Sequence, residues 1–308
     1  MTSNATSGTA QLAALQQHVV GRRREAELIV AALRSGTHLL LEGPPGTGKS
    51  TLLRAAAESA KLDFHFVEGN AELTPARLIG HFDPSQVLAS GYSPDVWVDG
   101  PLAAALRDGG LLYLEEINRI PEETLNVLVT VMSEGELTIP RLGRIAAAPN
   151  FRLVAAMNPF DAVGTARISG ALYDRVSRLG IEYQDATDEI EIVRTQVPGY
   201  EPEYVAKVVE VVRATRTHPE VRVGSSVRGA LDLLRLSTDL ADLRGTSPDN
   251  YHVGLDAAQA ALSGRIRLHD ATATKPEAIV AELWRRVMGR PPANDETTEA
   301  PPEPEGKA

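Results

Sequence analysis

Residues 43–50 read Gly43-Pro44-Pro45-Gly46-Thr47-Gly48-Lys49-Ser50, the most specific pattern in the chain. It matches the pattern G-x-x-x-x-G-K-[ST] in full. The glycines let the backbone close round phosphate oxygens, the lysine supplies a cation, and the Ser50 hydroxyl is a ligand for Mg²⁺. An apolar strand pattern at 38–41 precedes the motif and a helical pattern beginning at Thr51 follows it. We therefore predict a P-loop whose residues 43–51 bind ATP with Mg²⁺.

A second motif is an apolar strand that ends in two acids, Leu111-Leu112-Tyr113-Leu114-Glu115-Glu116. In P-loop ATPases the first acid supports the metal and the second acts on the attacking water. This predicts Glu115 as a metal-site residue and Glu116 as catalytic. Aspartate is usual at the first position, so the extra methylene of Glu115 predicts a looser metal shell or a strand end that is set back. A strand capped by two solvated acids is the alternative interpretation.

Strand and helix patterns alternate on both sides of these motifs. Short apolar strand patterns occur at 37–41, 62–67, 110–114, 152–157 and 179–183. Buried strands that alternate with helices predict an α/β domain with a parallel sheet covered on both faces. After about residue 185 the strand patterns stop, and helices are predicted at 187–197, 201–216, 225–240, 253–268 and 276–288.

The domain prediction follows from this pattern and from the composition of the two ends. We predict an α/β nucleotide-binding domain at 18–185 and an all-helical lid domain at 186–288. Residues 1–17 are predicted to be disordered or poorly ordered. Residues 289–308 are predicted to be a disordered acidic tail, because five prolines and five acids leave little apolar surface to bury.

Composition excludes several classes of site and favours one location. The 308 residues include no cysteine, which excludes disulfides, thiolate metal sites and cysteine nucleophiles. The net charge of −10 argues against nucleic acid as a partner. No targeting pattern and no apolar run of membrane-spanning length is visible, so we expect a cytoplasmic protein without a membrane span.

Further segments resemble, in motif order from residue 18 to about 270, the MoxR branch of AAA+ ATPases. The resemblance is carried by Val19-Val20-Gly21, Leu41–Ser50, Asp99–Leu102, Glu116–Arg119, Ala156–Pro159, Tyr173–Arg175 and Gly224–Arg228. Val176 replaces an aromatic residue of the family pattern, and Val227 replaces a proline. The resemblance implies an AAA+ core followed by a small helical lid. Gly80–Pro84, together with Glu115, is similar to members associated with maturation of aerobic carbon monoxide dehydrogenase.

The resemblance implies roles for residues that no local pattern would single out. The backbone of Val19, Val20 and Gly21 would flank the adenine. Asn158, just past the 152–157 strand pattern, would act as a sensor that orients the lytic water through its amide donor and acceptor. An ordinary Asn-Pro turn is the alternative for Asn158.

Two arginines complete the set of catalytic residues that the resemblance implies. Arg175 would act as an arginine finger on the nucleotide of a neighbouring subunit, with Arg178 and Arg167 as alternatives for that role. Arg228 would act as the second sensor, reaching the γ-phosphate from the lid domain and coupling nucleotide state to domain angle. A surface ion pair for Arg175 and a solvated side chain for Arg228 are the competing interpretations.

The function implied is an ATP-hydrolysing chaperone that works as a homo-oligomer, a hexameric ring. The resemblance implies a partner with a von Willebrand factor type A domain and a metalloenzyme client. We predict hairpins at 82–98 and 135–145, which either contact the partner or are passive loops. Three alternatives stay open: a nucleic-acid-remodelling ATPase, a P-loop small-molecule kinase, and a nucleotide-gated scaffold with low turnover, the last motivated by Glu115.

Overall fold

The computed structural model describes residues 7–159 and 168–290 of the chain. The predicted disorder of residues 1–6 and 291–308, and Arg167 as an alternative finger, lie outside these ranges. The chain divides into two compact units, Met1–Gln184 and Asp185–Ala308. Each unit has its own hydrophobic core, so the two are described separately.

The described part of the first unit contains eight helices and nine strands. In chain order they are α1 (Gly8–Gln16), α2 (Arg23–Ser35), β1 (Leu39–Glu42), α3 (Lys49–Ala60), β2 (Phe64–Glu68), α4 (Pro75–Ile79), β3 (Gly80–Phe82), α5 (Pro84–Ser90), β4 (Trp97–Asp99), α6 (Pro101–Asp108), β5 (Leu111–Glu115), α7 (Glu122–Glu134), β6 (Glu136–Ile139), β7 (Gly143–Ala146), β8 (Arg152–Met157), α8 (Gly170–Tyr173) and β9 (Ser177–Gly180). Short 3-10 helices at Pro94–Val96 and Ile117–Arg119 lie before β4 and α7.

Five strands form a central sheet in the order β2-β5-β8-β1-β9, and every neighbouring pair is parallel. This confirms the predicted fold class. The strand that enters the phosphate loop, β1, lies between β8 and β9, with Glu42 opposite both Met157 and Gly180. Because the strands are parallel, the residues that follow β1, β5 and β8 all emerge at the same edge of the sheet. That edge carries the candidate site.

Successive residues of the strands alternate between two cores, as the two-residue period of a strand requires. One core, with α6 and α7, contains Leu40, Leu112, Leu114, Leu153 and Ala155. The other, with α1, α2 and α3, contains Leu39, Leu41, Leu111, Tyr113, Val154 and Ala156. Helices therefore cover both faces, which explains why the strand sequences are apolar without alternation.

The prediction of disorder for residues 1–17 is wrong for most of the segment. Residues Gly8–Gln16 form α1, and the hydroxyl of Ser7 accepts a hydrogen bond from the amide of Ala10 at 3.2 Å. Leu15 is fully buried in the core that α2 and α3 share. The start of the chain is polar and uncharged, so this helix was not predicted. The burial of a single leucine, Leu15, supplies the tertiary contact that stabilises it.

Two further predictions for the first unit need correction. The fifth strand lies at Ser177–Gly180 rather than at 179–183. Its first residues, Ser177 and Arg178, are polar, so the apolar pattern placed the start too late, although Ser177 already pairs with Leu39 of β1. The predicted hairpin at 82–98 is a strand pair, β3 with β4, separated by α5, whose first turn is capped by Asp83. The hairpin predicted at 135–145 is confirmed as β6 and β7, with Leu137 opposite Ile145.

The described part of the second unit contains five helices and two very short strands. They are α9 (Ala186–Gln196), α10 (Pro202–Ala214), β10 (Val221–Val223), α11 (Val227–Arg244), α12 (Tyr251–Leu262), β11 (Arg267–Leu268) and α13 (Pro276–Met288). Strands β10 and β11 pair antiparallel, which corrects the prediction that strands stop at 185; pieces this short leave no periodic pattern in a sequence. Within residues 7–159 and 168–290, no helix has the length and apolarity needed to cross a membrane.

Candidate functional site

The loop after β1 has the backbone geometry that close approach to an anion requires. The amide of Gly43 donates to the carbonyl of Met157 at 3.2 Å, which ties the start of the loop to the end of β8. A side chain at position 43 would lie 2.0 Å from the carbonyl oxygen of Ile181, so only glycine fits there. Gly48 adopts a positive φ of 83° in open space and precedes the first turn of α3. The helix amides therefore face the loop, as in an anion site.

Lys49 is the first residue of α3 and its side chain folds over the loop. Its Nζ donates to the carbonyl oxygens of Gly43 and Pro44, both at 2.9 Å. Burial lowers the pKa of the ammonium, and the carboxylates of Glu115 and Glu116 oppose that shift. A phosphate oxygen is a stronger acceptor than either carbonyl. The loop residues therefore fit a nucleotide phosphate, as the sequence motif predicts.

Ser50 and Glu115 lie next to each other at the same edge. The Ser50 hydroxyl donates to the Glu115 carboxylate, at 3.1 and 3.3 Å from its two oxygens, and lies 3.3 Å from the Tyr113 hydroxyl. Burial raises the pKa of Tyr113, so its hydroxyl stays protonated. Hydroxyl and carboxylate oxygens are the ligands that Mg²⁺ prefers. The longer glutamate thus spans the distance to Ser50 directly, and these two residues fit a magnesium site.

Glu116 follows β5 in the left-handed region, with φ of 53°. Its carboxylate lies 3.4 Å from Nε of Arg119, one turn further along the chain. The carbonyl of Glu115 accepts a hydrogen bond from the amide of Gly69 at 2.7 Å, which fixes the turn against the end of β2. A non-glycine residue held in this backbone region is characteristic of functional turns. The structure places Glu116 beside Glu115 at the loop edge, and its catalytic role stays a prediction.

Asn158 directly follows β8 and is half-buried. The preceding residue, Met157, is the one whose carbonyl binds Gly43, so Asn158 lies beside the first residue of the phosphate loop. This placement agrees with what a sensor needs, which is an amide side chain at the same edge of the sheet as the loop. Its role as sensor stays a prediction.

The two candidate finger arginines within the described residues have different surroundings. Arg175 lies just after α8, where its Nε donates to the Ser133 hydroxyl at 2.5 Å and its Nη1 to the carbonyl of Ala171 at 2.7 Å. Arg178 lies in β9 and its Nε donates to the carboxylate of Glu42. Glu42 is buried, so removing Arg178 leaves a buried carboxylate without its cation. Arg178 therefore has a role inside its own subunit that Arg175 does not share.

Comparison with known proteins identifies the family. Residues 38–176 match the AAA domain of the dynein-related subfamily. The gas vesicle ATPase GvpN of Haloferax mediterranei is 30% identical over 62% of this chain and 59% of its own length. Uncharacterized protein YeaC of Bacillus subtilis is 28% identical over 87% of this chain and 90% of its own. An uncharacterized protein of Staphylococcus epidermidis is 30% identical over 68% and 81%.

The chain belongs to the MoxR family of AAA+ ATPases. Solved structures agree on the fold. A Cytophaga hutchinsonii ATPase candidate matches with a TM-score of 0.53 at 22% identity, covering 91% of this chain and 93% of that one. The RuvB Holliday junction branch migration motor of Thermotoga maritima matches with a TM-score of 0.54 at 17% identity, covering 80% and 72%. At these identities the likeness concerns the AAA+ fold alone.

Within this MoxR-family chain, the segment Val19-Val20-Gly21, which is predicted to flank the adenine, is tied to neighbouring backbone by two residues that the sequence analysis did not single out. Arg22, buried and at a positive φ of 57°, donates to the carbonyls of Thr47, at 3.1 Å, and Glu182. Gln184 donates from Nε2 to the carbonyl of Val20 at 2.6 Å. The sequence offered only an arginine directly after Gly21, and its i,i+3 pair with Glu25, at 3.0 Å, looks like an ordinary helix-surface ion pair. These contacts fix the backbone of Val19-Val20-Gly21 relative to the loop.

Glu42 is a third residue that the sequence did not reveal. Its side chain is only 6% exposed, at the last position of β1. One carboxylate oxygen accepts from Arg178 and the other from the Tyr173 hydroxyl at 3.3 Å. The MoxR-family corner that carries Tyr173 and Arg175 is thereby joined to the residue that precedes the phosphate loop. The sequence pattern that indicates such a residue is an acid at the end of an otherwise apolar strand.

Arg228 belongs to the second unit, where it is exposed in the first turn of α11. The segment before it is held by a buried ion pair, since Glu189 binds Arg213 at 2.9 Å and Arg216 at 2.7 Å. Arg216 in turn donates from Nε to the carbonyl of Ser225 at 2.7 Å. The position of Arg228 is thus fixed within the helical unit, and its role as second sensor remains a prediction.

Proposed function

We propose that this chain binds ATP with Mg²⁺ and hydrolyses it. The observation that carries the proposal is the arrangement at one edge of the sheet, where Lys49, Ser50, Glu115 and Glu116 lie on the ends of two strands and one helix. Ser50 and Glu115 already share a hydrogen bond at 3.1 Å. Two motifs separated by more than sixty residues in sequence therefore converge on one site.

Each residue of the candidate site has a side chain or backbone group whose chemistry suits the role that we propose for it. The loop amides and Lys49 bind and orient the phosphates, and Val19-Val20-Gly21 hold the base. Bound Mg²⁺ would draw charge from the phosphate oxygens, with Ser50 and Glu115 as the residues that hold it. Glu116 takes the proton of the attacking water as general base, and Asn158 positions that water by a hydrogen bond.

We propose further that the active unit is a ring, because the finger must come from a neighbour. Arg175 supplies a positive charge to the phosphate oxygens of the adjoining subunit in the transition state. Arg178 stays with Glu42 in its own subunit. Arg228 responds to the γ-phosphate from the helical unit. A hexameric ring is what the family resemblance supports.

The client is proposed to be a protein. Strands β3 and β4 and the β6–β7 hairpin are joined by Arg141, whose guanidinium lies 4.0 Å from the centre of the Tyr92 ring. Between Pro84 and Asp99, three large apolar or aromatic side chains are exposed, Leu88 by 90%, Tyr92 by 56% and Val98 by 46%, which suits contact with another protein. The resemblance supports a partner with a von Willebrand factor type A domain, a metalloenzyme client of the carbon monoxide dehydrogenase type, and a cytoplasmic location.

Phosphate release from Mg-ATP tests the proposal, with Glu116→Gln as the matched variant. Removing the general base lowers kcat by about 10²–10⁴-fold while ATP stays bound, because the loop contacts are untouched. A variant that hydrolyses ATP at the wild-type rate would move the base to another residue. Transfer of phosphate to a small molecule instead of water would favour the kinase alternative.

The kind of client is tested by adding candidate partners to the same assay. We expect phosphate release to rise on addition of a protein with a von Willebrand factor type A domain encoded beside this chain. Duplex or single-stranded DNA should leave the rate unchanged, because the chain carries a net charge of −10. Salt-sensitive stimulation by DNA would instead support nucleic-acid remodelling, and negligible turnover with every addition would support the nucleotide-gated scaffold.

A further inference from the structure

The carboxylate of Glu42 binds two side chains that come from one short segment of the chain. The Tyr173 hydroxyl donates to Oε1 at 3.3 Å, and Nε of Arg178 donates to Oε2. Burial, and then the charge of Glu42, raise the pKa of Tyr173, so its hydroxyl keeps the proton that it donates. The two donors are five positions apart in the sequence, and Arg175 lies between them. One buried acid therefore binds both ends of the segment that carries the proposed finger.

The backbone of the same segment is fixed as well. The Arg175 amide donates to the carbonyl of Leu172 at 3.0 Å, and Leu172 is fully buried in the core. The Ser177 amide donates to the carbonyl of His38 at 2.9 Å, where β9 begins to pair with β1. The path of residues 172–178 is therefore set by the core at one end, by β1 at the other, and by the side-chain contacts with Glu42.

Glu42 is itself held in place, as an anchor must be. Its carbonyl accepts a hydrogen bond from the Ile181 amide at 2.7 Å, and the amide of the next residue, Gly43, donates to the Met157 carbonyl at 3.2 Å. A Cβ at position 43 would lie 2.0 Å from the Ile181 carbonyl oxygen, so the backbone here is packed closely against β9 and the residues that follow it. The carboxylate thus projects from a point that two neighbouring strands fix.

Stability of the fold does not by itself call for an acid at this position. The three residues before it in β1 are buried leucines, and the Glu42 side chain is only 6% exposed. A buried carboxylate carries a large desolvation cost, and an apolar residue of similar volume is often at least as stable. What the carboxylate supplies is geometry, because each of its oxygens accepts from a donor in a defined direction.

We infer that Glu42 is a positioning residue for Arg175, the finger that this subunit offers to its neighbour. The inference rests on the proposed role of Arg175 between subunits. Glu42 acts through Tyr173 and Arg178, which hold the segment between them in the path that directs Arg175 to the adjoining nucleotide. Such an effect is large, because a catalytic group that is displaced by about 1 Å can lose about 10²-fold in rate.

Three variants separate this role from general stabilisation. Glu42→Gln keeps the size of the side chain, but its amide has one acceptor oxygen and an NH₂ group that would meet a donor, Tyr173 or Arg178. Tyr173→Phe is milder, since it removes one hydroxyl and leaves the Arg178 pair in place. Glu27→Gln is the matched control, because it makes the same chemical change in an exposed ion pair with Arg23 on α2.

Hydrogen exchange measures the positioning without any turnover of ATP. The amides of Arg175 and Ser177 are bonded to the carbonyls of Leu172 and His38, so they report on the order of the segment. In Glu42→Gln we expect these two amides to exchange at least about tenfold faster, while the amides of α13 keep their native rates. Glu27→Gln should match the unmodified chain throughout. Native exchange rates at both amides in Glu42→Gln would overturn the proposal.

The consequence for catalysis is measured in mixed assemblies of two inactive variants. Arg175→Ala subunits supply nucleotide sites that lack only a finger, and Glu116→Gln subunits supply a finger but no general base. Adding Glu42→Gln to the Glu116→Gln subunit should lower kcat of the mixture by about tenfold or more. The KM for ATP should stay the same, because the working nucleotide site keeps its own Glu42. Tyr173→Phe in the finger subunit should lower kcat about threefold.

Placing Glu42→Gln in the Arg175→Ala subunit instead tests a purely structural role. We expect that mixture to turn over at least about fivefold faster than the mixture whose finger subunit carries the change. Equal losses in the two placements, or no loss in either, would overturn the proposal. If Glu42→Gln does not assemble, the same two placements of Tyr173→Phe decide between these outcomes. A starting mixture of Arg175→Ala and Glu116→Gln that stays inactive would instead remove Arg175 as a finger, and the role of Glu42 would fall with it.

Discussion

Lys49 shows how one side chain at the phosphate loop is set up for a ligand. Its ammonium is buried and bonded to the carbonyls of Gly43 and Pro44, and both are acceptors that a phosphate outcompetes. Lys49→Ala removes the loop's main side-chain cation. We expect ATP affinity to fall by at least about tenfold, the equivalent of one charge-assisted hydrogen bond. Isothermal titration calorimetry with Mg-ATP measures it, and an unchanged affinity would contradict the assignment of the loop.

Glu115 is the residue where this chain departs from the usual aspartate. The glutamate reaches Ser50 directly, at 3.1 Å, so its carboxylate lies closer to the metal-binding hydroxyl than the shorter side chain would. Glu115→Asp draws the carboxylate back by one methylene and leaves room for water between it and a metal. We expect kcat equal to or above the wild-type value, together with a changed dependence of phosphate release on Mg²⁺ concentration. Complete loss of turnover would mean that the site requires the longer side chain.

Residues of the candidate site could be predicted where a contiguous sequence motif marks them, and were missed where their role depends on residues that are distant in sequence. The phosphate loop and the two acids form contiguous motifs, and the structure brings them together. Glu42 and Arg22 were missed because their roles depend on partners that are 25 to 160 positions away in sequence. A single sequence shows that an acid ends an apolar strand, but it does not show which cation or hydroxyl the fold brings to it.

Among the elements, α11 depends on a buried ion pair for its position. Glu189 of α9 lies between Arg213 and Arg216, and Arg216 holds the carbonyl of Ser225 just before the helix. Glu189→Ala leaves two arginines without their buried carboxylate. We expect a loss of about 3 kcal/mol in the free energy of unfolding of the helical unit, measured by urea denaturation.

The matched control for that variant is Glu191→Ala, on the same helix but exposed. It removes a similar side chain from α9 without touching the ion pair, so its effect should stay within about 0.5 kcal/mol. Equal losses for the two variants would indicate that helix propensity, rather than the buried pair, stabilises this region. A loss at Glu189 alone would also predict weaker coupling of Arg228 to nucleotide, since the helix that carries it would be less well fixed.

Element boundaries show where periodicity succeeds and where it fails. Strand β8 lies where it was predicted, because all but the ends of Arg152–Met157 are buried and apolar. Helix α13 also matches, with Pro276 at its start and Gly289 after its end. The two-residue strand β11 and the helix α1 were missed, since neither is long enough for its pattern to rise above that of a loop.

At the scale of the whole molecule, fold class and family followed from the order of motifs along the chain. The sheet order β2-β5-β8-β1-β9 could not be read from periodicity, since every strand is a similar apolar run. The strand order could be predicted only from the family resemblance, because related proteins share the order of strands in their sheets. The assembly, in contrast, could not be predicted from patterns within the chain. If a neighbour's residue completes the site, as we propose, the sequence of a single chain would show no sign of it apart from a half-buried arginine, Arg175.

Assembly can be tested through the concentration dependence of phosphate release and through Arg175. If Arg175 acts on a neighbour's nucleotide, the specific rate of phosphate release should rise with protein concentration as rings form. Arg175→Ala should bind ATP normally and turn over about 10³-fold more slowly, because it loses only the charge that a finger supplies in the transition state. Arg178→Ala is a poor substitute for this test, because it also strips the buried Glu42 of its cation.

The decisive form of the experiment mixes two inactive variants, Glu116→Gln and Arg175→Ala. Where an Arg175→Ala subunit supplies the nucleotide site and a Glu116→Gln subunit supplies the finger, one interface contains both intact residues. Partial phosphate release should return in the mixture and depend on the ratio of the two variants. A finger that acts within its own subunit predicts no rescue at any ratio. If co-assembly is demonstrated by native mass spectrometry and the mixture stays inactive, Arg175 is excluded as a finger acting between subunits.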